Sequence, residues 1–124
     1  MKKQLLFLSL QICAFTYVSC EEIITVPDIT EASVNLLAPS NNTVVENSPL
    51  SFVWDPVPEA ETYKIQIAQP NFENAQQIFA DSTLSSTNFI WSLDNGSYQW
   101  RVKAINSAYE TAFSTNSFSI DVQD

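Results

Sequence analysis

Short runs in which hydrophobic and polar residues alternate follow one another along the chain from residue 33 onwards. The alternation is clearest at 62–69, 98–106 and 117–123, where apolar residues recur at every second position. Since successive side chains of a β-strand point to opposite faces, this period predicts strands with one face in a core and the other in solvent. No segment after the first twenty residues has the period of an amphipathic helix, so the pattern favours an all-β fold.

Clusters of Asn, Pro, Ser, Asp and Gly separate these runs and indicate turns. Seven strands are predicted, at 33–38, 49–54, 62–69, 75–81, 87–93, 98–106 and 117–123. Seven short strands within roughly 100 residues are typical of an immunoglobulin-like sandwich of two sheets. The chain of 124 residues has room for one such domain, which we predict at 32–124.

Two segments resemble the fibronectin type III family of immunoglobulin-like domains. Residues 52–60, Phe-Val-Trp-Asp-Pro-Val-Pro-Glu-Ala, and the strand after them are similar to that family's second strand, Pro-rich turn and third strand. Residues 93–106 are similar to its tyrosine corner and sixth strand, and the whole match covers about 33–122. The sequence departs from the family at Glu59, where bacterial members often have Gly. The resemblance implies a seven-stranded fibronectin type III sandwich.

Five residues of these segments are expected to maintain the fold: Trp54, Tyr63, Gly96, Tyr98 and Trp100. Trp54 is expected between the two sheets, where burial removes about 150–250 Å² of an aromatic side chain from water. The resemblance implies that Tyr98 donates its hydroxyl to nearby backbone, as in a tyrosine corner. Gly96 is the only glycine of the chain, and the pair Asn95-Gly96 predicts a turn that requires a positive φ.

The first twenty residues differ in character from the rest. Lys2 and Lys3 precede a mostly apolar stretch at 5–18, which is shorter than the about 20 apolar residues that span a bilayer. A positive start followed by a short apolar stretch is typical of an export signal. The stretch ends in Ser19-Cys20, and the whole segment resembles the signal peptide of bacterial lipoproteins, in which the cysteine is acylated and becomes the mature N-terminus.

That resemblance implies that residues 1–19 are removed and that Cys20 carries the lipid. Residues 20–31 are then the acylated cysteine and a tether, unless 23–26 form a short edge strand. A lipid anchor of this kind implies attachment to the cell envelope, at the outer membrane, on either its periplasmic or its outer face. Ordinary cleavage near Ser19, without a lipid, is the alternative.

Composition argues against several functions. Without 1–19 the chain has three basic residues against 14 acidic ones, a net charge of −11. Nucleic acid is therefore not expected as a partner, because phosphate binding requires many Lys and Arg side chains. The chain has no His, and both cysteines lie within the first twenty residues, so the domain lacks the commonest general base, the commonest zinc ligand and any disulfide. We expect neither an enzyme nor a cofactor.

Two groups of residues are candidate sites. Asp55, Glu59 and Glu61 flank the turn between the second and third predicted strands; they suit a calcium site or a carboxylate pair, although solvated loop acids are the favoured interpretation. Tyr109 and Phe113 lie in the loop after the sixth strand and are the candidate binding residues. The alternative is that Phe113 packs on the core and Tyr109 covers a sheet edge.

The expected function is a non-catalytic, lipid-anchored interaction or adhesion module of the cell envelope. A carbohydrate-binding outer-membrane lipoprotein of a polysaccharide-capture system is the alternative, which requires an exposed aromatic platform. Because this fold serves many unrelated roles, the sequence leaves open whether the partner is an envelope protein or a glycan.

Overall fold

The computed structural model describes residues 25–123, so the predicted signal peptide at 1–19 and the predicted lipidation site Cys20 lie outside the described residues. This part of the chain contains eight strands: β1 (Leu36–Ala38), β2 (Thr43–Val45), β3 (Leu50–Trp54), β4 (Thr62–Gln69), β5 (Gln77–Leu84), β6 (Asn88–Trp91), β7 (Gly96–Ile105) and β8 (Ser114–Ile120). Within it there is no helix with the length and hydrophobicity that a membrane span requires.

The strands form two sheets, one of three strands in the order β1-β3-β6 and one of five in the order β2-β8-β7-β4-β5. Neighbouring strands are antiparallel except for β2, which runs parallel to β8. The prediction of an all-β sandwich is confirmed. The predicted number of strands was wrong, because β2 has three residues and is too short to show an alternating pattern by itself.

The core lies between the two sheets, and the inward residues of each strand supply it. The largest fully buried side chains are Phe52, Trp54, Ile65, Ile67, Tyr98, Trp100 and Val102. The Phe52 ring lies edge-on to two rings of the opposite sheet, 5.1 Å from Trp100 and 5.7 Å from Phe118 between centroids. Ile29, which the sequence placed in the tether, is also buried in this core. The packed part of the chain therefore begins before the predicted boundary at residue 32.

The corner that precedes β7 is held by a tyrosine. The Tyr98 hydroxyl donates to the backbone carbonyl of Asp94 at 2.6 Å, and burial together with the nearby Asp94 carboxylate raises the pKa of Tyr98. Gly96 begins β7 with a φ of 158°. A Cβ at this position would lie 2.7 Å from Nε2 of Gln69, so any larger residue would have to displace that side chain.

The turn between β3 and β4 contains a residue in an unfavourable backbone conformation. Glu59 has a φ of 72°, in the left-handed region that glycine adopts without steric cost. Around it, the Val57 backbone N–H donates to the Tyr63 hydroxyl at 2.9 Å, and the Ala60 N–H donates to the Val57 carbonyl at 3.1 Å. These bonds fix the turn, so the chain tolerates Glu59 at a cost in free energy.

Replacing Glu59 with Gly is expected to stabilise the protein. Relief of the left-handed strain contributes about 1–2 kcal/mol, and the greater freedom of glycine in the unfolded chain offsets about 0.5–1 kcal/mol of it. We therefore expect the free energy of unfolding to rise by about 0.5–1 kcal/mol, measured by urea and thermal unfolding. Asn42→Gly is the matched control, since Asn42 has a φ of 61° but asparagine tolerates this region. An unchanged or lower stability of Glu59→Gly would contradict the prediction.

Candidate functional site

The carboxylates around the β3–β4 turn do not form a site. Asp55, Glu59 and Glu61 are all exposed, and Asp55 accepts a hydrogen bond of 2.7 Å from Nδ2 of Asn35 at the surface. Between residues 25 and 123, no group of three or more His, Cys, Asp or Glu side chains could hold a metal ion. For this part of the chain the structure therefore gives no support to the calcium alternative.

All three basic residues that follow the predicted signal peptide lie on the outer face of the five-stranded sheet. Lys64 of β4 lies directly opposite Lys103 of β7, and Arg101 lies opposite Gln66. Like charges at directly opposed positions of a sheet are unfavourable. The outer face of the five-stranded sheet therefore carries all the positive side-chain charge of the described residues.

Two of these cations form ion pairs with neighbouring carboxylates and the third does not. Lys64 Nζ lies 3.4 Å from a carboxylate oxygen of Asp81, and Lys103 Nζ lies 2.8 Å from one of Glu110. Arg101 forms no ion pair with any described residue; its Nε donates to Oε1 of Gln66 at 2.8 Å. The two terminal amino groups of its guanidinium have no hydrogen-bond partner among residues 25–123.

Two aromatic rings hold the Arg101 side chain in place. Its guanidinium carbon lies 4.0 Å from the centroid of the Phe72 ring and 4.2 Å from that of Phe113. Contacts of this kind attract the cation to the ring faces and restrict its movement. Partial burial of the guanidinium lowers the pKa of Arg101, yet an arginine remains charged at neutral pH. We call Phe72, Arg101 and Phe113 the Arg101 stack.

Gln99 positions one side of the Arg101 stack. Its Oε1 accepts the Phe72 backbone N–H at 3.0 Å, and its Nε2 donates to Oγ of Ser117 at 3.0 Å. The amide thus ties the loop between β4 and β5 to the outer face of β7 and β8. This link determines where Phe72 lies relative to Arg101.

An open groove of about 420 Å³ lies on the same face, and Gln99, which accepts the Phe72 backbone N–H, is part of its lining. Its lining is about half polar and half apolar, and the residues that carry side-chain hydroxyls or amides include Asn42, Asn71, Ser97, Gln99, Ser117 and Ser119. We call it the polar groove. Alternate residues of β7 share one face and are about 6.6 Å apart, so the outward row runs from the polar groove through Gln99 to Arg101 and Lys103. The groove and the cation therefore form one continuous surface.

Of the two residues that the sequence singled out for binding, the structure places Phe113 in the Arg101 stack and Tyr109 elsewhere. Phe113 lies on the outer face of the sheet and is not part of the core cluster. Tyr109 is 37% exposed, and its backbone N–H is bonded to the side chain of Asn106. The sequence reasoning missed Phe72 and Gln99 as site residues. It placed Arg101 on a solvent-facing position but assigned it no role.

No protein-family model matches this sequence, and no curated protein matches it. Several solved structures match it. A structure of the fibronectin(III)-like modules of Clostridium thermocellum CbhA is similar at 17% identity and a TM-score of 0.46, over 73% of this chain and 95% of that one. A Fn3-like protein from the same organism is similar at 16% identity and a TM-score of 0.47, over 74% of this chain and 90% of that one. Another is described as FN3tt mut, at 17% identity and a TM-score of 0.46, over 61% of this chain and 91% of that one.

Proposed function

We propose that the protein is a non-catalytic, lipid-anchored interaction or adhesion module of the bacterial cell envelope, with its binding surface on the outer face of the five-stranded sheet. The Arg101 stack carries this proposal. A guanidinium that is held between two rings and keeps free donors is pre-organised for a partner, because little side-chain freedom is lost on binding. Arginine and aromatic residues also dominate the binding energy of protein surfaces.

The proposed anchor is lipid on Cys20, which attaches the domain to the outer membrane. Each buried CH₂ contributes about 0.8 kcal/mol, and two or more acyl chains give stable attachment. On the other side of the tether, the Pro27 carbonyl accepts a hydrogen bond of 2.9 Å from Nδ2 of Asn106. Seven residue steps separate Cys20 from Pro27 and span at most about 25 Å. The domain thus stays close to the lipid surface.

With a lipid on Cys20, the position of Pro27 favours one orientation of the domain relative to the membrane. Asn106 directly follows β7, whereas Ser97 of the polar groove lies near the beginning of that strand. Nine residues of extended strand separate the two positions by about 30 Å. An anchor at Cys20 therefore holds the Asn106 end towards the lipid and leaves the polar groove at the far end, accessible to a partner.

A carbohydrate-binding outer-membrane lipoprotein of a polysaccharide-capture system is the second candidate. The polar groove favours it, because hydroxyl and amide side chains are suitable donors and acceptors for sugar hydroxyls. The two rings of the Arg101 stack would supply the aromatic contacts that such a site requires.

The proposed function has a test with two parts in intact cells. Cys20→Ala is expected to move the full-length protein from the membrane fraction to the soluble fraction, measured by fractionation and immunoblotting. A photo-crosslinking residue at Thr115, which is exposed and opposite Arg101, is expected to capture a partner in the anchored protein. The same residue at Ser51, exposed on the three-stranded sheet, is the matched control and should capture none.

Each part has an outcome that contradicts the proposal. If Cys20→Ala remains with the membranes, the anchor is not at Cys20. If crosslinks form equally at the two positions, or at neither, the outer face of the five-stranded sheet is not the binding surface.

A further inference from the structure

We infer that the ligand of this surface is an acidic polysaccharide, bound through the carboxylates of its uronic acid residues. The inference rests on the proposed function, since it names the class of ligand for the same face. Arg101 is the starting point, because it is the one cation of the described residues that forms no ion pair, although the Asp81 carboxylate that pairs with Lys64 also acts on its charge. A carboxylate accepts two parallel hydrogen bonds from the terminal amino groups of a guanidinium, and this geometry matches the donors that Arg101 leaves free.

The charge pattern also points to an anion. Lys64 and Lys103 lie on the same face as Arg101 and face each other across two strands. The pair of Lys64 and Asp81 is long, at 3.4 Å, and its side chains are 33% and 51% exposed, so it contributes little free energy, whereas Lys103 is only 17% exposed in its pair with Glu110. An incoming carboxylate can therefore replace Asp81 at Lys64 at low cost. Repulsion from the remaining acidic residues is screened beyond about 8 Å at physiological ionic strength. The local balance of three cations against the two carboxylates of Asp81 and Glu110 then decides the sign of the interaction.

The surroundings of Arg101 favour a glycan over an acidic peptide. Arg101 lies on β7, which is paired on both sides by β4 and β8, so a peptide has no free strand edge there to extend. The adjoining polar groove offers side-chain hydroxyls and amides, and these suit the many hydroxyls of a sugar chain. A chain of acidic sugars along β7 would place its hydroxyls in the groove and a carboxylate at Arg101.

The test is a calorimetric titration of the full-length protein in detergent micelles with three probes. Hexagalacturonate is a uronic acid oligomer, its fully methyl-esterified form has the same rings and linkages without charge, and hexaglutamate is an acidic peptide. We expect hexagalacturonate to bind, with an affinity that falls as salt is added. The other two probes should bind at least about tenfold more weakly, because each lacks either the charge or the hydroxyls.

Two variants and a control test the role of Arg101. Arg101→Lys retains the charge but loses the paired hydrogen bonds, and we expect it to weaken hexagalacturonate binding by about tenfold or more. Arg101→Gln should weaken it at least as much. Ile90→Ser, on the exposed face of the three-stranded sheet, is the control and should leave the affinity unchanged. Thermal unfolding of each variant verifies that the fold is retained.

Four results would overturn the inference: no binding of hexagalacturonate, equal binding of the methyl ester, equal or tighter binding of hexaglutamate, or full affinity of a folded Arg101→Lys variant. None of them affects the crosslinking at Thr115, so a captured partner together with any of these results would leave the binding surface in place and change only the ligand.

Discussion

Replacing Trp100 with Ala is expected to lower the free energy of unfolding by about 3–5 kcal/mol, a large share of the about 5–15 kcal/mol that is usual for a domain. The Trp100 side chain is 0% exposed and packs against Phe52 and Trp54 of the opposite sheet, at centroid distances of 5.1 and 6.3 Å. Its Nε1 donates to the Pro39 carbonyl at 3.1 Å. The substitution removes the two ring contacts with the opposite sheet. It also removes the hydrogen bond to Pro39, which directly follows β1. Urea unfolding followed by circular dichroism measures the change.

Trp54 provides a matched comparison, because it is equally buried but makes no such hydrogen bond. Its Nε1 is buried and has no partner among residues 25–123. In Trp54→Phe an unpaired donor is removed along with part of the ring, whereas Trp100→Phe loses a bond as well as volume. We expect Trp100→Phe to be the more destabilising of the two by about 1–2 kcal/mol. Equal costs, or a loss of less than about 1 kcal/mol in Trp100→Ala, would contradict the role assigned to Trp100.

The fold could be predicted where a strand has a buried apolar face and a solvent-exposed polar face along its whole length. The segment predicted at 98–106 became β7 (Gly96–Ile105) because its outward residues are polar or charged and its inward ones are apolar. The prediction at 75–81 was less accurate, since β5 (Gln77–Leu84) is an edge strand in which polar residues occur on both faces. Periodicity also gave no sign of β2, because a three-residue strand exists only through its pairing with β8.

The site was less predictable than the fold for a different reason. The period of two places Arg101 outward, but Phe72 and Phe113 come from loops, where alternation does not determine direction. In the sequence, Phe113 and Tyr109 are both aromatic loop residues, and alternation does not determine whether their side chains point to the core. The structure brings only Phe113 to Arg101. The link from Gln99 to Phe72 depends on a backbone position far along the chain, which the sequence does not reveal.

Asn106 is the residue whose importance the sequence least suggested, and Asn106→Ala is expected to lower the free energy of unfolding by about 2–4 kcal/mol. It is only 7% exposed, and its side chain makes four hydrogen bonds. Nδ2 donates to the carbonyls of Pro27 at 2.9 Å and Glu59 at 3.3 Å. Oδ1 accepts the N–H groups of Ala108 at 3.0 Å and Tyr109 at 2.8 Å. The substitution would leave these partners without their bonds at one end of the sandwich.

Asn106→Asp separates the two halves of this network. The carboxylate can still accept from the backbone N–H groups of Ala108 and Tyr109, but it cannot donate to the carbonyls of Pro27 and Glu59 and places a negative charge beside them. Both variants should therefore release the segment that leads from the proposed anchor, and amide hydrogen exchange at Ala32, whose N–H donates to the Ile29 carbonyl at 3.0 Å, should become faster. Asn116→Ala is the control, because its Nδ2 makes a single long bond of 3.3 Å to the Pro39 carbonyl. Unchanged exchange at Ala32 in both Asn106 variants would show that core packing of Ile29 alone holds the segment, and the tether would then run nine steps from Cys20 to Ile29, at most about 32 Å.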